Sequence, residues 1–197
     1  VSTEFEQGEL TASTGDFDFA IQGNGFFMIE MPDGTTGYTR NGNFLMAINP
    51  NGGTTLTTAD GYSVLDSNGK AITFDAATDT TRLSFDNYGN IFYKNAQGVI
   101  QPTGVRIGAD PFNNPSGLTK LGDSYFAESA ASGNARIEGQ DAALSVSVIK
   151  NGYLEASSVQ AVDEMVDMIV TQRAYEMNSK AITASDEMLQ QANNLRS

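Results

Sequence analysis

Turn signals marked by glycine recur at intervals of roughly ten residues through the first hundred positions of the chain, and this spacing limits its fold more than any other feature. Gly23-Asn-Gly25, Pro32-Asp-Gly34, Asn41-Gly42, Asn49-Pro-Asn-Gly-Gly53, Asp60-Gly61, Ser67-Asn-Gly69, Tyr88-Gly89 and Gln97-Gly98 each supply a glycine free to take positive φ, in two cases beside a proline that fixes its own. The intervals leave room for short strands and little room for helices. Phe17, Phe19 and Ile21 alternate with Asp16, Asp18, Ala20 and Gln22, the period-two pattern of a half-buried strand. Residues 26–31 predict a second strand. Residues 38–40 and 43–45 flank Asn41-Gly42, the preferred pair of a type I′ hairpin, and are expected to pair through it. Shorter runs at 56–58, 62–65, 71–74, 83–85, 91–93 and 105–107 complete the series. Residues 1–15 read as an extended lead-in, 110–117 as loop, 118–134 as a weakly structured crossing, and 143–149 as a last strand.

From Gly152 onward there is no further Gly and no Pro, and Ala, Met, Glu, Gln and Leu dominate. The segment predicts one long helix, capped by Ser157 or Ser158 and roughly 55 Å long at 1.5 Å per residue. Val159, Val162, Val166, Val170, Ala174, Met177, Ala181, Ala184 and Met188 follow steps of three and four with one stutter, and Gln191 is a polar lapse before Leu195. Met168, Tyr175, Ile182 and Leu189 form a second line at steps of seven. Together they give an apolar face wider than one neighbour requires, on a helix nearly twice as long as a small β domain of ~30 Å. These residues are the expected assembly interface. Arg173 lies between seam positions, able to reach a carboxylate of a neighbouring chain or to extend into water. The expected fold class is therefore mainly β: a Gly/Asn-turn-rich β domain, residues 1–149, followed by one long C-terminal α-helix, residues 150–197.

Charge and composition exclude several functions. A net charge of −13 disfavours nucleic acid and anionic membrane surfaces. The absence of both Cys and His removes disulfides, thiolate metal sites, the usual neutral-pH base and the common nucleophile pairs. Gly23-Asn-Gly25 lacks the third small residue of a dinucleotide fingerprint, since Met28 stands there. Asp66 and Asp86 open Asp/Asn/Gly loops that invite a calcium reading, but the twelfth positions are Ala77 and Gln97 rather than a bidentate Glu. Asx turns account for both better. Acidic residues permit a glycosidase pair on paper, yet the sequence singles out none. No enzymatic activity, cofactor, metal or small-molecule substrate is expected. The chain starts at Val1, not Met, so it is expected to be a fragment or processed product, with any export signal outside it.

Two sets of stretches carry a family likeness. Gly152-Tyr-Leu-Glu-Ala-Ser-Ser-Val, the run from Asp163 to Ile182 and Ser185-Asp-Glu-Met-Leu resemble the C-terminal segment of the bacterial flagellar rod and hook family. Asp18-Phe-Ala-Ile-Gln-Gly-Asn-Gly-Phe-Phe, Tyr38-Thr-Arg-Asn-Gly-Asn-Phe and Ala59-Asp-Gly-Tyr resemble the start of that family's β domain. Residues 66–140 carry little of the likeness. The resemblance implies a structural axial subunit of the flagellar basal body, assembling with copies of itself into a helical tube that transmits torque. Its implied partners are adjacent rod and hook subunits, with the surrounding basal-body rings as further neighbours, and its implied place is a periplasm-spanning structure reached by export without a cleavable signal. The resemblance also implies an N-terminal helix paired with the C-terminal one, and this chain is expected to begin after the point where such a helix would end. Other positions along the same axis, hook or proximal rod, remain open as alternatives, as does a secreted β-domain adhesin on a helical stalk.

Overall fold

A computed structural model describes residues 5, 7–49, 52–122, 124–138 and 147–156. β1 (Leu10–Ala12) is followed by β2 (Phe19–Gln22), β3 (Gly25–Glu30), β4 (Thr36–Thr39), β5 (Phe44–Ile48), β6 (Thr54–Thr58), β7 (Ser63–Val64) and β8 (Thr73–Phe74). A 3-10 turn at Thr80–Arg82 leads into β9 (Leu83–Phe85), β10 (Asn90–Lys94), β11 (Ile100–Arg106) and β12 (Ala109–Pro111). A second, Pro115–Gly117, precedes β13 (Thr119–Lys120), β14 (Tyr125–Ala127), β15 (Val148–Asn151) and β16 (Tyr153–Glu155).

The largest sheet runs β13-β14-β4-β3-β7-β6-β5, with β12 also on β3 and β8 also on β6. β11-β10-β9 form a second sheet, and the pairs β2–β15 and β1–β16 join residues from opposite ends of the described chain. β3 is the hub because its alternation feeds two cores. Phe27 packs with Phe19, Ile21, Phe44, Leu56, Ile91, Ile107 and Ile149, while Phe26 and Met28 pack with Tyr38, Leu65, Phe112 and Phe126. Strand β2 is buried on both faces, Ala20 included, rather than half-buried as its alternation predicts. β15 pairs along one edge of it, with Ile149 opposite Ile21 and Lys150 opposite Ala20.

The structure corrects the sequence reading in four further places. β4 and β5 do not pair across Asn41-Gly42; β4 lies between β3 and β14, and β5 pairs with β6. Gly42 is small for another reason: it accepts the Phe19 N–H at 2.9 Å, and a Cβ there would stand 1.8 Å from the Phe19 carbonyl oxygen. Second, the expected loop at 110–117 begins inside a strand, with Asp110 opposite Phe26 and Pro111 opposite Gly25. Third, the expected weak crossing contains β13 and β14, which extend the main sheet.

The fourth correction concerns the long C-terminal helix. Residues 150–155 do not begin one: Lys150 and Asn151 close β15, Gly152 turns at φ +77°, and Tyr153–Glu155 is β16. The described residues are mainly strand and contain no helix beyond the two three-residue 3-10 turns. Helix propensity in Tyr-Leu-Glu-Ala loses here to a ladder with β1, since weak local preference yields to tertiary pairing. The remainder of the expected helix, and the first part of the expected strand 143–149, lie outside the described residues. The first compact unit of the chain is Val1–Ala156, and a second begins at Ser157.

Candidate assembly site

Strands β1 and β16 pair Leu10 with Glu155, Thr11 with Leu154 and Ala12 with Tyr153. The ladder is extended at one end by Ala156 N–H donating to the Glu9 carbonyl at 2.8 Å, and at the other by Ser13 N–H donating to the Gly152 carbonyl at 2.8 Å. Backbone entering at Gly8 and backbone leaving at Ala156 therefore run side by side. They are close enough that a Cβ on Gly8 would stand 1.9 Å from the Ala156 carbonyl oxygen.

Arg40 fastens this pair of strands to the rest of the unit. Its Nε and Nη2 donate to the two carboxylate oxygens of Glu155, each at 2.9 Å, a bidentate fork. Nη1 donates to the carbonyls of Gly23 and Gly25, both at 2.7 Å, so the same guanidinium holds the β2–β3 turn. Glu155 Oε1 also accepts the Gly8 N–H at 2.9 Å. The guanidinium carbon lies 5.7 Å from the Phe26 ring centroid, over the face of that ring. With side chains only 18% and 9% exposed, the two ions are largely withdrawn from water, and each is satisfied by more than its partner.

Two further contacts set the same junction. Asp18 accepts from the Ser13 hydroxyl and, at 2.8 Å, from Asn43 Nδ2, while its carbonyl takes the Gly152 N–H at 2.8 Å. Phe5 stands edge-on to Phe26 and Phe126, with ring centroids at 5.1 and 4.9 Å, so the lead-in is anchored in the second core. Elsewhere, Asp66 and Asp86 each use Oδ1 to accept two backbone N–H groups at 2.8–2.9 Å, as Asx turns do. Beneath β12, Glu138 takes the Ser147 N–H at 2.9 Å and lies 3.4 Å from Arg106, next to Asp110, whose carboxyl is raised above its usual range by burial.

The expected interface positions from Val159 to Leu195, Arg173 among them, lie outside the described residues. Sequence reasoning missed Arg40, Glu155 and Phe5 as positioning groups. A signal was present: Arg40 lies in Tyr38-Thr-Arg and Glu155 in Gly152-Tyr-Leu-Glu, the two separate stretches that carry the family likeness.

Comparison with known proteins matches the same two regions. A family profile described as flagellar hook protein FlgE/F/G D1 domain covers residues 20–93, and one described as flagellar basal body rod FlgEFG protein C-terminal covers residues 150–195. The flagellar basal-body rod protein FlgG of Bacillus subtilis is 43% identical over 187 residues, 94% of this chain and 68% of that protein. Its counterpart in Borreliella burgdorferi is 39% identical over 194 residues, 98% and 69% respectively. The flagellar hook protein FlgE of the latter organism is 36% identical over 130 residues, 60% of this chain and 29% of that protein.

Proposed function

This chain belongs to the flagellar basal-body rod and hook family, and from that premise we propose that it acts as a distal rod subunit whose β unit holds its own first and last strands together while copies assemble around an axis. One observation carries the mechanical part: the Arg40–Glu155 fork locks β16 beside β1 and both against the β2–β3 turn. A subunit that transmits torque needs its connections to the rest of the tube to leave a stiff body from a fixed place. The rod is favoured over the hook because rod relatives align with nearly the whole chain, whereas the hook protein aligns with 60% of it.

On this reading the role is structural and not catalytic, and it requires no cofactor. The division of labour is between the β domain and a C-terminal association segment. Val159, Val162, Val166, Val170, Ala174, Met177, Ala181, Ala184, Met188 and Leu195, with Met168, Tyr175, Ile182 and Leu189, supply apolar area that copies bury against one another, at ~25 cal/mol per Å². Arg173 offers a charge to a neighbouring carboxylate. The partners are copies of this chain and adjacent rod and hook subunits, with the surrounding rings as neighbours. The tube spans the periplasm after export without a cleavable signal, as the family resemblance implies.

The test is to tag the full-length protein, purify basal bodies and locate the tag by immunogold labelling. Label along the rod is the expected result. Label confined to the hook, or to the cell surface away from flagella, would replace this reading by one of the alternatives.

A further inference from the structure

An Asn-Gly step is where a peptide chain deamidates most readily, because glycine puts no side chain in the way when its nitrogen attacks the asparagine carboxamide. A glycine N–H that donates to a carbonyl resists, since the attack requires that bond to be given up. Asn68-Gly69 and Asn151-Gly152 are guarded in this way. Gly69 N–H donates to the Asp66 carbonyl at 2.9 Å and Gly152 N–H to the Asp18 carbonyl at 2.8 Å, while Asn151 Nδ2 is itself held by the carbonyls of Asp16 and Asp18. The aspartyl steps are guarded alike, Gly34 N–H donating to Met31 and Gly61 N–H to Thr58. Asn24-Gly25 runs directly into β3, where Gly25 lies opposite Pro111 in the ladder with β12.

Asn41-Gly42 differs. Among the described residues the Gly42 N–H has no acceptor, although its carbonyl takes the Phe19 N–H at 2.9 Å. Asn41 is exposed, and its Oδ1 accepts the Asn43 N–H at 3.0 Å. This Asx turn folds the carboxamide toward the peptide that follows, and the accepted hydrogen bond draws electrons from its carbon. Nδ2, the leaving group, has no hydrogen-bond partner among the described residues.

We infer that Asn41 is a site of spontaneous deamidation in the folded protein. The Gly42 nitrogen bonds to Asn41 Cγ, the Cγ–Nδ2 bond breaks, and ammonia leaves with the proton that Gly42 gives up. Water then opens the cyclic imide at Cγ, giving aspartate, or at the main-chain carbonyl, giving isoaspartate. Water is the only co-reactant, and nothing is oxidised or reduced. Either product places a carboxylate beside Asn43, whose Nδ2 donates to Asp18. Isoaspartate also lengthens the backbone by a methylene immediately before Gly42, where even a Cβ would stand 1.8 Å from the Phe19 carbonyl oxygen. The contact between β2 and Gly42 is therefore the one that ageing loosens. Nothing in this chemistry depends on the rod assignment.

Purified full-length protein is kept at mildly alkaline pH, folded or in urea, and sampled by peptide mass spectrometry with fragmentation that separates isoaspartate from aspartate. In the folded protein Asn41 is expected to convert several-fold faster than Asn24, Asn68 and Asn151, and in urea these positions are expected to converge. Asn41 no faster than Asn68 in the folded protein overturns the inference. So does the same ranking in urea, which would trace it to local sequence rather than to the fold. Asn41→Gln, whose longer side chain closes the imide ring far more slowly, supplies a second readout. On ageing the wild type is expected to lose melting temperature and Asn41→Gln to keep it, and equal loss in both overturns the claim that this site loosens β2.

Discussion

Arg40 and Glu155 are 115 positions apart in the chain and 2.9 Å apart in space, and the fork between them is the point where the lead-in, the β2–β3 turn and the last described strand are held as one piece. Removing Arg40 leaves the Glu155 carboxylate withdrawn from water with the Gly8 N–H in place of an opposite charge. Arg40→Ala is expected to cost about 2 kcal/mol or more in urea unfolding of the β unit. Arg40→Lys should recover little of this, because an ammonium cannot span both Glu155 oxygens and also reach the carbonyls of Gly23 and Gly25. Equal stability of Lys and Arg at position 40 would show that the fork is incidental.

Two glycines distinguish close approach from backbone conformation. Gly42 sits where a Cβ would collide with the Phe19 carbonyl at 1.8 Å, and no flexible side chain is available to yield. Gly42→Ala is expected to displace β2 from Gly42 and unfold the unit at room temperature or lower its melting point steeply. Gly34 has φ +78° with nothing within 4 Å of an added Cβ, so Gly34→Ala pays only the left-handed strain, about 1 kcal/mol. Melting curves of the two variants check the order, and a milder effect at 42 than at 34 would contradict it.

Asp110 gives the unit a pH dependence of known sign. Burial is the main cause that raises its carboxyl; a hydrogen bond from the Glu138 backbone N–H opposes it, and the nearby Glu138 charge adds to it. The folded state then holds the proton more tightly than the unfolded chain does. The contribution to stability is full below the unfolded carboxyl range, near 3.9, and is lost as pH rises from there through the raised value. Asp110→Asn keeps an acceptor for the Glu138 N–H and removes the ionisation. Its melting temperature relative to wild type should rise between acid and neutral pH, and a difference independent of pH would refute the assignment to this group.

Turn positions were legible in the sequence because their chemistry is local. Gly34, Gly61, Gly69, Gly89 and Gly98 all turn at φ between 75° and 88°, where only glycine is at ease. Partner choice between strands was not legible, because it depends on residues far apart. Asn41-Gly42 has the composition of a tight hairpin, yet β5 pairs with β6 instead, where Met46 stands opposite Leu56. Likewise Tyr153-Leu-Glu has fair helix propensity, but Leu154 and Glu155 are spoken for by Thr11, Leu10 and Arg40. The candidate site was visible only as two unrelated motif fragments, and the contact that joins them requires the fold.

The central claim is that the chain is a structural subunit of the flagellar rod, and the measurement that tests it most directly is electron microscopy of basal bodies from cells lacking the gene. The account predicts basal bodies that stop within the rod, with no hook and no swimming, restored by the wild-type gene. Rods of full length bearing hooks in the deletion strain would contradict it.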